Sequence, residues 1–226
     1  MNERFAYDLD QAGQATMAGA DEAGRGCLAG PLVAAAVCFD YAALGEADWA
    51  ALEGLDDSKR LTRPRREALY EEILRRARQV VVVECSAGTI DRNGLNRCNL
   101  ALLGRALECM EPEPSVALVD GFRLPGCRRE HRAVVRGDHL SASVAAASVI
   151  AKVTRDRVML RLHGSFPQYG FDRHVGYATV GHRRAIEEHG VCVHHRLSFA
   201  SAAYAQLDLL ADGGAAMARE PGVAGA

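Results

Sequence analysis

The stretch TMAGADEAGRGCLAGPLVAAAVCF, residues 16–39, decides how this chain is read. Its first six residues alternate weakly, which predicts a strand over 16–21 ending at the adjacent carboxylates Asp21 and Glu22. Its last nine, PLVAAAVCF at 31–39, form a near-continuous apolar run of strand length, the pattern of a strand buried on both faces. The glycine-rich segment between them is the connection. Two adjacent carboxylates beside an apolar segment are costly unless a cation accompanies them. For the pair taken alone, a plain surface turn is an equal reading.

Working outward, QVVVVEC (79–85), SVALVD (115–120) and HRAVVRG (131–137) supply three more strands. Helices are expected over 62–78, 91–110, 141–162, 181–190 and 198–210. The first has Thr62 at its cap position and Pro64 in its first turn. Early strands without long crossovers, followed by strands separated by helices, predict one mixed α/β sheet flanked by helices. A single domain over 1–210 is expected. The segment 211–226 is rich in glycine and alanine, without an apolar face, and is expected to be disordered.

Composition excludes several classes. The 226 residues are 49% hydrophobic and 25% charged, with a net charge of −2, which suits an ordinary globular protein rather than a uniformly basic binder. No apolar run reaches the roughly 20 residues of a membrane span, and the acidic N-terminus lacks a signal-peptide pattern, so a cytoplasmic location without membrane association is expected. Seven irregularly spaced cysteines without a C-x-x-C read as buried thiols. The segment CVHH at 192–195 has metal-ligand residue types, but neighbouring histidines point apart in most backbones, so the structural reading is preferred. Charge is locally uneven. Basic side chains crowd 59–78, and five arginines lie in 123–136. Such runs are usually solvated faces, yet they also suit a polyanion held by its phosphates. The chain has 25 arginines and only two lysines, Lys59 and Lys152, which marks DDSKRLT and SVIAKVTRD for attention.

Carboxylates fall at predicted strand ends, where ligands of α/β sheets usually bind: Asp21 with Glu22, then Asp120, then Asp138 in GDHLS. Asp138 also reads as an N-cap of the alanine-rich helix, aided by Ser141. Oxygen ligands suit hard divalent ions such as Mg²⁺ or Mn²⁺, and two such ions can promote phosphodiester hydrolysis. On a helical wheel Ser141, Ser148, Lys152 and Arg155 share one side. That stripe is either a solvent face or the lining of a backbone-binding groove.

The segments GADEAGRGCLAGPLVAAAV (19–37), DSKRLT (57–62), LVDG (118–121), GDHLSASVAAASVIAKVTRD (137–156) and YGFDRHVGYATVGHRRAIEEHGVCVHHRLSF (169–199) together closely resemble the bacterial ribonuclease HII family, the type 2 ribonucleases H. The resemblance covers most of the chain in the family's order. It implies a ribonuclease H-like fold with a mixed five-stranded sheet and a helical C-terminal portion at about 164–210. It also implies endonucleolytic cleavage of RNA in RNA–DNA hybrids and incision 5′ of single ribonucleotides in duplex DNA, leaving 3′-hydroxyl and 5′-phosphate ends. By the same resemblance, Asp21, Glu22, Asp120 and Asp138 match catalytic metal ligands for one or two Mn²⁺ or Mg²⁺ ions, the second arriving with substrate. Gly24, Arg25 and Gly26 match the turn that reads the ribose 2′-hydroxyl, and Tyr177 matches a tyrosine that packs on the junction sugar. Lys59, Arg60, Ser148, Lys152 and Arg155 fall in segments that touch the nucleic-acid backbone.

Two departures stand out: Cys27 where the family often has proline, and Val175 where lysine is common. Only 20 residues precede Asp21, which disfavours the type HIII class with its added N-terminal domain. No clear sliding-clamp peptide is present in the tail, and a monomer is expected. The rival readings are another carboxylate-dependent nuclease of a related fold, or a catalytically silent hybrid-binding module.

Overall fold

The computed structural model describes residues 2–199, 201 and 204. These fall into two compact units. The first comprises residues up to Ala23, Val33–Glu84 and Asn96–Thr154; the second comprises Gly24–Leu32, Cys85–Leu95 and the chain from Arg155.

The first unit holds helix α1 (Glu3–Ala12), strands β1 (Thr16–Ala23) and β2 (Leu32–Asp40), helices α2 (Glu46–Ala51) and α3 (Arg63–Arg76), and strand β3 (Gln79–Cys85). Helix α4 (Ala87–Asn93) belongs to the second unit. The first resumes with α5 (Leu95–Glu108), β4 (Val116–Asp120), β5 (Arg132–Val134), the single turn α6 (Gly137–Leu140) and the long helix α7 (Ala142–Ser165). From Arg155 onward α7 lies in the second unit, followed by a 3-10 turn at Pro167–Tyr169, α8 (Phe171–His174) and α9 (Val180–His189).

The five strands form one mixed sheet in the order β3-β2-β1-β4-β5. β1 runs antiparallel to β2 and parallel to β4, and β4 is parallel to β5. Alternation along the central strands explains the uninterrupted apolar run of β2. Met17, Val33, Val37 and Phe39 enter one core with α1, α3 and α7, while Ala18, Ala20, Ala34, Ala36 and Cys38 enter a second with α5. Both faces are covered, so neither position class can be polar.

Small residues let α7 lie close on β1. A Cβ on Gly19 would sit 2.2 Å from the backbone of Ser143 and Val144, a separation no side chain tolerates. Asp8 of α1 anchors the same helix end, accepting from the Ser143 backbone N–H and hydroxyl at 2.9 Å each and from the Tyr41 hydroxyl. Burial pushes the Asp8 carboxyl up, against these hydrogen bonds. The cap of α7 is Ser141, whose Oγ accepts from the Val144 N–H at 3.2 Å. Asp138 sits one turn earlier, inside α6, so the expectation that it caps α7 is corrected.

The second unit has its own apolar centre of Ala29, Met159, Phe166, Tyr169, Phe171, Ala185 and Cys192. All seven cysteines of the chain are free thiols. The helix expected over 91–110 is instead two, because Gly94 ends α4 with φ +82°. Most of the helix expected at 198–210, and the segment 211–226, lie outside the described residues. Among the described residues no helix is long and apolar enough to cross a membrane.

Candidate active site

Parallel pairing sets Ala20 beside Val119, so Asp21 and Asp120 follow at neighbouring strand ends. The turn after β5 brings the third carboxylate. Arg136 adopts a left-handed backbone (φ 56°), an uncommon conformation for a side-chain-bearing residue. It leads directly into α6 and Asp138. Asp120 fastens this turn by accepting from the Gly137 N–H at 2.7 Å. Asp21, Asp120 and Asp138 thereby each offer one carboxylate oxygen, all within 4.8 Å of one another.

Glu22 is not one of that trio, but among the neighbouring carboxylates its charge acts most strongly on Asp21. Burial pushes the Asp21 carboxyl well above its usual range, and Glu22, Asp120 and Asp138 push it further, while the Glu22 N–H bond opposes them. Asp138 is raised by burial, then by Asp120 and Asp57, against the lowering effect of His139 and Lys59. Asp21 and Asp138 raised together in one place mean that negative charge is concentrated beyond what the protein neutralises. Oxygen-only donors with a surplus of negative charge fit a hard divalent cation.

Residues not singled out in the sequence complete this place. Asp57 is buried and forms a second trio with Asp138 and His139; its Oδ1 accepts from the Lys59 N–H at 3.0 Å. Arg4 of α1 donates from Nε to the Asp138 carbonyl at 3.1 Å and pairs with Asp56. Asp57 stands inside DSKRLT, so the motif was visible and its first residue was passed over. Arg4 carries no local signal, because its role depends on where α1 docks.

The basic candidates divide. Burial pulls the Lys59 ammonium down, but Asp57, Asp21, Asp138 and Asp120 outweigh it and the net shift is upward. Lys59 therefore belongs to the carboxylate site. Arg60 is exposed, 3.4 Å from Asp56, and Lys152 is half-buried. Ser148 and Arg155 are corrections. Ser148 is buried, donating to the Ala145 carbonyl and accepting from the Ser58 N–H. Arg155 is fully buried and donates to the carbonyls of Pro31, Val175 and Ala29 at 2.9–3.0 Å. Both side chains are buried and spent on protein partners, so neither reaches a nucleic-acid backbone, whereas Lys152 on the same side of α7 is only half-buried.

In the second unit, Gly24–Arg25–Gly26 and Tyr177 do come together. Cys27 and Tyr177 form an antiparallel bridge, and the Leu28 N–H donates to the Gly176 carbonyl at 2.8 Å. Gly24 has φ +100°, and a Cβ there would lie 2.1 Å from Arg155 Nε; glycine is required on both counts. Tyr177 is 40% exposed. Its carbonyl accepts from His182 Nδ1 at 2.9 Å, and His182 Nε2 meets His195 Nε2 at 3.1 Å. His195 Nδ1 accepts from the Cys192 N–H. These contacts fix both histidines as neutral, His195 donating to His182. Burial pushes their pKa values down to about 4 for His182 and about 3 for His195. Among the described residues the metal-capable trios lie only in the carboxylate site, and Cys192 and His195 serve this hydrogen-bonded chain.

The family model described as Ribonuclease HII matches residues 18–202. The chain belongs to the ribonuclease HII family. It is 50% identical over 184 residues to a ribonuclease HII of Rhizobium meliloti, covering 81% of this chain and 82% of that one. It is 47% identical over 188 residues to a ribonuclease HII of Delftia acidovorans, with 83% and 77% covered. Among solved structures it is similar to the ribonuclease HII in a PCNA complex from Archaeoglobus fulgidus, with a TM-score of 0.68 and 30% identity over 82% of this chain and 96% of that one. As a member of the ribonuclease HII family, the chain is a ribonuclease H, an endonuclease that cuts the RNA of RNA–DNA hybrids.

Proposed function

We propose that this ribonuclease HII hydrolyses RNA in hybrids and also incises 5′ of single ribonucleotides in duplex DNA, leaving 3′-hydroxyl and 5′-phosphate ends. The observation that carries this reading is the convergence of Asp21, Asp120 and Asp138 at one end of the central strands, with the carboxyls of Asp21 and Asp138 raised by burial and by neighbouring carboxylates. These three would hold Mn²⁺ or Mg²⁺, with Glu22 adding negative charge beside them. Bound there, a divalent cation supplies Lewis-acid polarisation of the phosphodiester and lowers the pKa of the attacking water.

The chain's own residues do the rest. Lys59 brings a positive charge to the carboxylates and suits a phosphate of the cut strand. Asp120 holds the Gly137 turn, and Arg4 holds the Asp138 backbone, so the carboxylates are preorganised. Ala23 alone separates Glu22 from Gly24 in the sequence. The Gly24–Arg25–Gly26 main chain reads the 2′-hydroxyl that DNA lacks, and the exposed Tyr177 ring packs on the adjoining sugar. A site built around that hydroxyl leaves polar groups unpaired when deoxyribose binds, which is the source of discrimination. The protein acts as a monomer, within one catalytic domain over 1–210.

A DNA duplex with one ribonucleotide, run beside an all-DNA control and with product ends mapped, tests this. The expected result is a single cut 5′ of the ribonucleotide and an intact control. Equal cutting of both would assign the site to a different carboxylate nuclease, and binding without cutting would assign it to a silent module.

A further inference from the structure

Beneath the Gly24–Gly26 turn lies a cation that was not among the candidate site residues. Arg196 is fully buried, and every nitrogen of its guanidinium donates to main-chain carbonyls of the loop 24–31. Nη1 reaches Gly24 at 2.7 Å and Arg25 at 3.1 Å. Nε and Nη2 both reach Gly30, and Nη2 also reaches Pro31 at 3.0 Å. Arg155 grips the same loop through Ala29 and Pro31. The Arg196 main chain is fixed as well, its N–H donating to the Leu28 carbonyl at 2.8 Å, and its guanidinium stands 5.2 Å from the Phe199 ring centre. Burial, and then the like charge of Arg155, pull the Arg196 pKa to about 10, so it remains charged at neutral pH.

A buried cation is costly to keep unless its donors are met, and carboxylates usually meet them. Here carbonyl dipoles do. That choice has a geometric consequence. In a trans peptide the C=O of one residue and the N–H of the next point in opposite directions. With the Gly24 and Arg25 carbonyls turned in to Arg196, the N–H groups of Arg25 and Gly26 are turned out, on the far side of the loop from the cation. Gly24 reaches this conformation only because it is glycine (φ +100°), and Gly26 is exposed. Two successive outward N–H groups form a small concave donor pair that suits an oxygen acceptor.

We propose that Arg196 is a positioning residue for ribose selection: by holding the Gly24 and Arg25 carbonyls inward, it presents the Arg25 and Gly26 N–H groups as a preformed donor pair for the oxygen of a sugar hydroxyl. The inference rests on the turn's role in reading ribose proposed above. A lysine is a poor substitute, because a single ammonium cannot span Gly24, Arg25, Gly30 and Pro31 in one plane. Phosphate contacts elsewhere are independent of it, so the role shows as lost selectivity rather than lost binding.

The test compares the full-length wild type with Arg196→Lys, using a duplex with one ribonucleotide and its all-DNA counterpart, with a chelator present to prevent turnover. Arg196→Lys is expected to hold the all-DNA duplex within about twofold of wild type while its preference for the ribonucleotide duplex falls about tenfold. A folded Arg196→Lys that keeps the wild-type preference overturns the proposal. A wild type without any preference would instead remove the ribose reading itself, so the two failures are distinct. A second measurement needs no variant. In the wild type, the amide resonances of Arg25 and Gly26 are expected to shift with the ribonucleotide duplex and to respond far less to the all-DNA duplex. Identical responses to the two duplexes overturn the proposal even if Arg196→Lys fails to fold.

Discussion

In the sheet-bearing unit, Asp21, Asp120 and Asp138 gather like charges near the ends of β1 and β4 and leave them under-neutralised, as the raised carboxyls of Asp21 and Asp138 record. In the helical unit, Arg155 and Arg196 also gather like charges, but each nitrogen is met by a main-chain carbonyl. The contrast separates two uses of buried charge. Satisfied charge shapes backbone, because the groups that satisfy it are thereby oriented. Unsatisfied charge waits for a ligand, because only an added cation removes the repulsion.

The largest effect should come from the unsatisfied set. Asp21→Asn or Asp120→Asn is expected to lower single-turnover cleavage by orders of magnitude while duplex binding, measured by anisotropy, survives. Near-normal rates would break the comparison at its first half. On the satisfied side, Tyr177→Ala is expected to slow cleavage at an isolated ribonucleotide by about tenfold or more; an unchanged rate would reduce Tyr177 to packing.

Acid should separate the units further. His182 and His195 have folded pKa values of about 4 and about 3, against an ordinary value of 6.5. The unfolded chain therefore takes up their protons first as pH falls. Their contribution is intact above pH 6.5 and is lost progressively towards pH 4 and 3, at a slope of up to about 1.4 kcal/mol per pH unit for each histidine. The raised carboxyls act oppositely, since protonation relieves their repulsion. A Tm series from pH 7 to 4 should thus fall more steeply in wild type than in His195→Gln; parallel series would contradict the neutral histidine chain.

The smallest effect concerns Val175, a β-branched residue held at φ 43°, where such side chains are strained. Val175→Lys removes the branching and adds a cation beside the Tyr177 turn. Its duplex affinity should rise modestly, with the salt slope steeper by about 1. An unaltered slope would show that no phosphate passes that position.

The sheet was legible because two covered faces force an uninterrupted apolar β2, and the carboxylates were legible because they lie at or near predicted strand ends, although β1 runs on to Ala23 and Asp138 sits inside α6. The support was not. Arg4 and Asp8 act from α1, a helix absent from the expected elements, and their partners Asp138 and Ser143 lie more than a hundred residues away. Arg155 misled because a wheel shows which residues share a side but not what covers it. The dense alanines of α7 belong to a helix buried nearly all round over 142–151. Arg196 stood inside the quoted segment 169–199 but was not singled out, since its partners are main-chain atoms that no residue type announces.

The central claim is that the carboxylate trio is left charged for a cation, and thermal unfolding of metal-free protein titrated with Mn²⁺ tests it most directly. Wild type should gain stability, by roughly 2.7 kcal/mol at a hundredfold excess over Kd, and Asp21→Asn should gain far less while being no less stable than wild type in chelator. A wild-type Tm that Mn²⁺ does not move, or an equal gain in Asp21→Asn, would contradict it.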